Sequence, residues 1–139
     1  MASAIPGRGL VDTSVVIAID ELDGTRLPGE ICVSMLTVAE LSAGPHAVAD
    51  ELSKARRQDR LQRFEAGVEA LPFDLSCARA YGRVYAAVAA AGQKARGGRS
   101  VNLLIAATAL ANHLPLYTRN PKDLLGLEDL IQVIDVGSR

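Results

Sequence analysis

Short β-branched or aliphatic runs alternate with longer helical segments along this whole chain, and that alternation limits the possible folds more than any other feature. Residues 9–12 (GLVD) make a short apolar strand that ends at Asp12. Residues 13–19 (TSVVIAI) then begin a helix, with Thr13 or Ser14 near its N-cap. A polar loop at 20–30 leads into a second strand at 31–35 (ICVSM) and a short helix, LTVAELSAG, stopped by Gly44-Pro45. Within 46–67, Leu52, Ala55, Leu61 and Phe64 fit a helical stripe. A third strand follows at 68–73 (VEALPF), then a helix over 74–91 with Asp74 as N-cap. After the loop 92–98 come the most apolar helix (101–112), a fourth strand (114–117), a helical turn (121–125) and a fifth strand (130–134). Strands and helices in strict alternation predict a central, mainly parallel sheet of about five strands, covered by helices on both faces. The 139 residues suit one α/β domain, 1–139, with no internal repeat or linker.

The core of such a domain must be aliphatic, because apolar residues make up 49% of the chain and aromatics only 4%. The formal net charge of −1 supplies no bulk attraction to nucleic acid or membrane, so any nucleic-acid contact needs a local patch or a bound metal. Cys32 and Cys77 form no CxxC pair and sit in apolar surroundings, which predicts buried, reduced thiols. The opening residues lack an apolar signal-peptide core, and no apolar run approaches the roughly 18 residues of a membrane span. The expectation is a soluble cytoplasmic protein with no membrane partner.

Ligands of open parallel sheets bind beyond the carboxyl ends of the strands. Asp12 ends the first strand, and Asp123 follows the fourth. If those strands are adjacent, both acids share one rim. Glu40 lies one helical turn beyond the second strand and can reach back over it. Asn102 stands in the first turn of a helix that is otherwise almost wholly apolar, so it faces either solvent or this rim. Clustered carboxylates need a cation to remain ionised together, and oxygen-only ligation suits Mg²⁺ or Mn²⁺ rather than zinc. A hard ion among acids at a sheet edge most often serves phosphoryl chemistry. Taken singly, each residue has a plainer reading: Asp12 as a helix cap, Glu40 as a solvated residue, Asp123 as a turn cap. Their occurrence together favours a shared site.

These contexts resemble the PIN-domain family, and more narrowly the VapC-type toxins of bacterial type II toxin–antitoxin pairs. LVDTSVVIA resembles the family's first motif, SMLTVAELSAG the second, and NLLIAATALANHLPLYTRNPKDL the third and fourth run together. The last is the longest and most specific, and the likeness spans nearly the whole chain. The resemblance implies a three-layer α/β/α fold and a Mg²⁺- or Mn²⁺-dependent endoribonuclease that forms homodimers. It implies a cognate VapB-like antitoxin whose C-terminal segment lies over the acidic site. Asp12, Glu40 and Asp123 carry over as metal ligands and catalytic acids, with Asn102 in the fourth place. Thr118 and Asn120 match flanking polar positions that hold a metal-bound water or phosphate, and Thr13 and Ser14 are the hydroxyl neighbours of the first acid.

Position 102 departs from the family pattern, which has Asp where this chain has Asn. An amide keeps the shape and one oxygen, loses the charge and cannot act as a base. Asn102 is then either a change that disarms a nuclease or a natural feature of a weakened enzyme that still binds its partner. The intact motif around it favours the former slightly. Arg56, Arg60 and Arg63 share one helix face, whereas Arg96 and Arg99 sit just before Asn102 and are better placed to hold RNA phosphates. A non-catalytic partner-binding module is the competing reading. A phosphatase or receiver-like domain is disfavoured, because Ser14 stands where the second phosphatase Asp belongs.

Overall fold

The first strand to be made becomes the middle of the sheet. The computed structural model describes residues 7–93 and 98–137, and the side chains of all of these except 98 and 99. Five strands, β1 (Arg8–Val11), β2 (Glu30–Ser34), β3 (Glu69–Leu71), β4 (Leu116–Thr118) and β5 (Val133–Asp135), form one sheet in the order β3-β2-β1-β4-β5. Every pairing is parallel. Leu10 is in register with Cys32 on one side and Leu116 on the other. The connections are helical: α1 (Thr13–Ile17), α2 (Met35–Ala43), α3 (Glu51–Gly67), α4 (Leu75–Ala90) and α5 (Gly98–Ala111). Short 3₁₀ turns lie at Ile19–Glu21, Gly24–Arg26, Gly44–Ala47 and Pro121–Leu124.

Two-residue alternation along the strands divides the core in two. Leu10, Cys32, Leu71 and Leu116 face α4 and α5, where they meet Val84, Val88, Leu103 and Ile105. Val11 and Val33 face the opposite layer, with Val15 and Val16 of α1, Leu41 of α2 and Leu61 of α3. Ala106, Ala107 and Ala109 of α5 are all fully buried, and their small side chains let α5 lie close to its neighbours. Each fully buried Leu or Val stabilises the fold by roughly 1.5–3 kcal/mol relative to leaving it exposed. Both cysteines are free and buried, as their settings predict.

Side chains cap the helices that follow the strands. Asp12 accepts from Val15 N, Ser34 from Leu36 N, Asp50 from Ser53 N and Asp74 from Cys77 N. The cap of α1 is therefore Asp12, not Thr13 or Ser14. Asp12 leaves the strand in an extended conformation, and its carboxylate is the group that meets the free N–H of the first turn.

Three further expectations shift. Leu52, 59% exposed, and Ala55 lie on the outer side of α3, where only Leu61 and Phe64 of the expected stripe pack inward. The fourth and fifth strands begin at Leu116 and Val133, later than their apolar runs. Helix α5 begins at Gly98, before the apolar run that marks it. On α4, Val84 and Val88 enter the core while Tyr85 stays 52% exposed, its ring 6.2 Å from that of Tyr81. Among the described residues no helix is long and apolar enough to cross a membrane.

The centre of the sheet is tightly fitted. A Cβ on Gly9 would stand 2.4 Å from Cε1 of Tyr117 and 3.1 Å from Cβ of Pro28. The absence of a side chain at Gly9 lets the Tyr117 ring lie across β1.

Candidate active site on the carboxyl rim of the sheet

Adjacency of β1 and β4 is what brings the two ends of the chain to one rim. Asp12 N donates to Tyr117 O at 3.1 Å, so the residue after β1 is still zipped to β4. Asp12 is only 7% exposed. Its Oδ1 accepts from Ser14 Oγ at 2.6 Å and from Val15 N at 3.2 Å, and its Oδ2 accepts no hydrogen bond from the described residues. A hydroxyl has one proton. Having given it to Asp12, Ser14 accepts from Arg119 N at 3.3 Å. Ser14 thus ties the end of β1 to the turn after β4.

That turn carries the second acid. Asn120 N donates to the buried Thr118 Oγ1 at 3.0 Å, and Asp123 N to Asn120 O at 3.0 Å. These bonds shape the segment Thr118-Arg119-Asn120-Pro121, and Pro121 starts the 3₁₀ turn that holds Asp123. Helix α5 delivers Asn102 to the same place: its Nδ2 stands 3.5 Å from Asp123 Oδ2.

Glu40 reaches the rim through Thr13. Thr13 Oγ1 donates to Glu40 Oε1 at 2.5 Å and lies 3.0 Å from Thr37 Oγ1. Because Thr13 spends its proton on Glu40, Thr37 is the donor in the second bond. Thr37 is fully buried one turn before Glu40 on α2. Of the four expected residues, Asn102 and Asp123 contact each other, Glu40 is held by Thr13 and Asp12 by Ser14, and among the described residues no hydrogen bond joins Asp12 or Glu40 directly to the Asn102–Asp123 pair. Among the described residues, no three His, Cys, Asp or Glu side chains gather closely enough to hold a metal ion by themselves.

In kind, this donor set fits a hard divalent ion. Its groups are carboxylate, amide and hydroxyl oxygens, and the nearly buried Asp12 keeps one oxygen unpartnered. In number it is sparse, as suits an ion such as Mg²⁺ that keeps several of its waters.

Sequence reasoning missed Thr37 and Arg119. Thr37 was legible as a hydroxyl three residues before Glu40 on one helix face. Arg119 lies inside the last motif, and its buried Nε has no hydrogen-bond partner among the described residues. Lys94 and Arg96 lie outside the described residues, as does the side chain of Arg99. Arg56, Arg57 and Arg60 instead share a cleft with Thr13 and Glu40.

The fold, the rim and its motifs agree with a match to the PIN domain family model over residues 9–124. The chain belongs to the PIN-domain family. Ribonuclease VapC5 of Mycobacterium tuberculosis (strain H37Rv) is 34% identical over 121 residues, covering 85% of this chain and 87% of that protein. A crystal structure of VapBC-5, a member of the VapBC family of toxin–antitoxin systems from Mycobacterium tuberculosis, contains a chain 32% identical to this one. It superposes with a TM-score of 0.81 over 95% of this PIN domain and 99% of that chain. These relatives place the domain with the VapC proteins. At 21% identity, a chain of VapBC2 from Rickettsia felis, solved bound to a promoter DNA fragment, shares the fold with a TM-score of 0.71 over 92% of this chain and 98% of its own.

Proposed function

We propose that this PIN domain is the ribonuclease toxin of a toxin–antitoxin pair, a Mg²⁺- or Mn²⁺-dependent endonuclease weakened by Asn102. The observation that carries this reading is the parallel pairing of β1 with β4, which sets Asp12 beside the turn that holds Asp123, itself met by Asn102 of α5. Support comes from the 34% identity to Ribonuclease VapC5 along most of both chains.

Asp12 and Asp123 would hold the ion, with the amide oxygen of Asn102 and the carboxylate of Glu40 as further donors. When bound, the ion neutralises phosphate charge and makes a water more acidic. Thr13 and Thr37 fix the direction of Glu40, and Ser14 fixes Asp12. Thr118 and Asn120 shape the turn and present polar groups beside it. Asn102 offers no charge and takes up no proton, so it withdraws one carboxylate from ion binding. Losses of supporting groups around metals cost about 10–100-fold in affinity or activity, and a missing ligand charge costs at least as much. A VapB-like antitoxin, a homodimer and an RNA substrate complete the reading. The exposed Tyr85 beside Tyr81 on α4 gives a partner an aromatic foothold.

The test is cleavage of a mixed RNA pool with Mg²⁺ or Mn²⁺ by this chain and by Asn102→Asp, each with and without EDTA. EDTA-sensitive cutting by the Asp variant, much faster than by the parent, is the expected result. Cutting by neither folded protein would overturn it in favour of a partner-binding module without chemistry.

A further inference from the structure

Beside the acidic rim, a cleft of about 450 Å³ opens between α2 and α3. Thr13 and Glu40 line one side of it, and Arg56, Arg57 and Arg60 of α3 line the other. Ile17, Leu41 and Ala43 add aliphatic surface to its lining.

The three arginines differ in what they already hold. Arg57 donates Nη1 to Gly44 O at 3.0 Å, a bond that pins the Gly44–Ala47 turn to α3. Arg63, one turn further along, is paired with Asp59 at 3.2 Å and faces Asp20 at 3.9 Å. Arg56 and Arg60 make no ion pair or hydrogen bond with the described residues. They stand four residues apart on one helix face, about 6 Å along the axis. Two uncommitted guanidinium groups thus stand in a cleft that also holds aliphatic side chains and, among the acids of the rim, Glu40. Guanidinium forks match phosphate geometry, and phosphate contacts position a strand without reading its sequence.

We infer that this cleft is a phosphate subsite that carries single-stranded RNA toward or away from the acidic rim, with Arg56 and Arg60 each holding a backbone phosphate. It rests on the RNA-cleaving reading above and adds a track for the strand outside the reacting centre. Charge complementarity argues for a polyanion: the chain as a whole is formally −1, so attraction must be local, and Arg56, Arg57 and Arg60 outnumber the one acid of this cleft, Glu40. The aliphatic part of the lining suits the faces of unstacked bases and sugars.

The test measures binding apart from cleavage. The full chain is titrated in EDTA against a fluorescein-labelled, mixed-sequence single-stranded RNA, with anisotropy read at several salt concentrations. The proteins are the parent, Arg56→Ala/Arg60→Ala and Arg63→Ala, each shown to be folded by circular dichroism. Alanine suits these helix positions, so folding is expected to survive. The double variant should bind about tenfold or more weakly, and its salt slope should fall by about 1.4 for two lost single-strand phosphate contacts. Arg63→Ala should bind nearly as the parent does. Equal affinity and slope in the parent and the double variant would overturn the proposal, as would absence of RNA binding by the parent. If an acidic peptide, and not RNA, lost affinity in the double variant, the cleft would belong to a protein partner and the proposal would fall. A chain that binds RNA through Arg56 and Arg60 but never cuts it, even as Asn102→Asp, would keep the cleft and lose the nuclease reading.

Discussion

Asn102 and Asp123 face each other at 3.5 Å, amide nitrogen to carboxylate oxygen, at the junction of α5 and the turn after β4. At that length the contact is weak, yet it leaves the two side chains without like-charge repulsion. An Asp at 102 would place two carboxylates in contact and would need a cation between them. The Asn102→Asp variant should therefore be less stable than the parent without divalent ions, on the order of 1 kcal/mol. It should gain more stability than the parent when Mg²⁺ or Mn²⁺ is added. Thermal melts with and without the ions read both effects. Equal ion responses in the two proteins would show that position 102 does not face a metal.

Ser14 bridges the Asp12 carboxylate and the backbone of Arg119. Ser14→Ala removes both bonds, and loss of stability by about 1 kcal/mol is expected. Urea unfolding measures it. If the bridge matters for chemistry, the same change made in Asn102→Asp should lower RNA cleavage further, with the fold intact.

Gly9 faces the Tyr117 ring so closely that a methyl group there displaces the ring. Gly9→Ala should cost about 1–3 kcal/mol by overpacking. Combined with Tyr117→Ala, the cost of adding the methyl should largely vanish, since the atoms it strikes are gone. A double-mutant cycle on unfolding free energies tests the pair, and strict additivity would refute the steric account.

Acid should unfold this protein in part through its helix caps. The hydrogen bond from Cys77 N holds Asp74 below the usual carboxylate pKa, and that from Ser53 N does the same for Asp50. Glu69 is held low by its hydrogen bond from Arg8, which is 2.7 Å away. A depressed folded-state pKa gives stability that is fully present above the unfolded value, about 3.9–4.3. That stability is lost as pH falls through the lower, folded value. Asp74→Asn keeps a capping oxygen without the charge, so its unfolding free energy should fall less steeply below about pH 4. Parallel denaturant titrations between neutral pH and pH 3 decide the matter.

The alternation of strands and helices was legible in the chain because each strand is an apolar run bounded by a cap or a Gly-rich stretch. Asp74 was readable as a cap for the same reason, standing between VEALPF and a helical stripe. The adjacency of β1 and β4 was only conditional in the sequence, since pairing over such a separation depends on how the whole sheet is ordered. Leu52 was misread because periodicity finds a face and does not say what covers it. Of the four candidate residues, the contact of Asn102 with Asp123 follows from the rim argument. The link from Glu40 to Thr13 and Thr37 depends on side-chain directions that spacing does not specify. The arginines of α3 were ranked below Arg96 and Arg99 because the sequence does not reveal that α3 packs beside α2, with Arg56, Arg57 and Arg60 lining one cleft with Glu40.

The central place of β1 has a consequence for how the protein is born. Chains emerge from the ribosome amino end first, and β1 must wait for β4, which follows all five α-helices in chain order. Until β4 is made, Asp12 has no partner across the rim. A nascent chain, or one cut short before β4, has neither the turn bearing Asp123 nor the edge that Ser14 ties down. The candidate site can assemble only once β4 and the turn after it have been made, long after Asp12 itself.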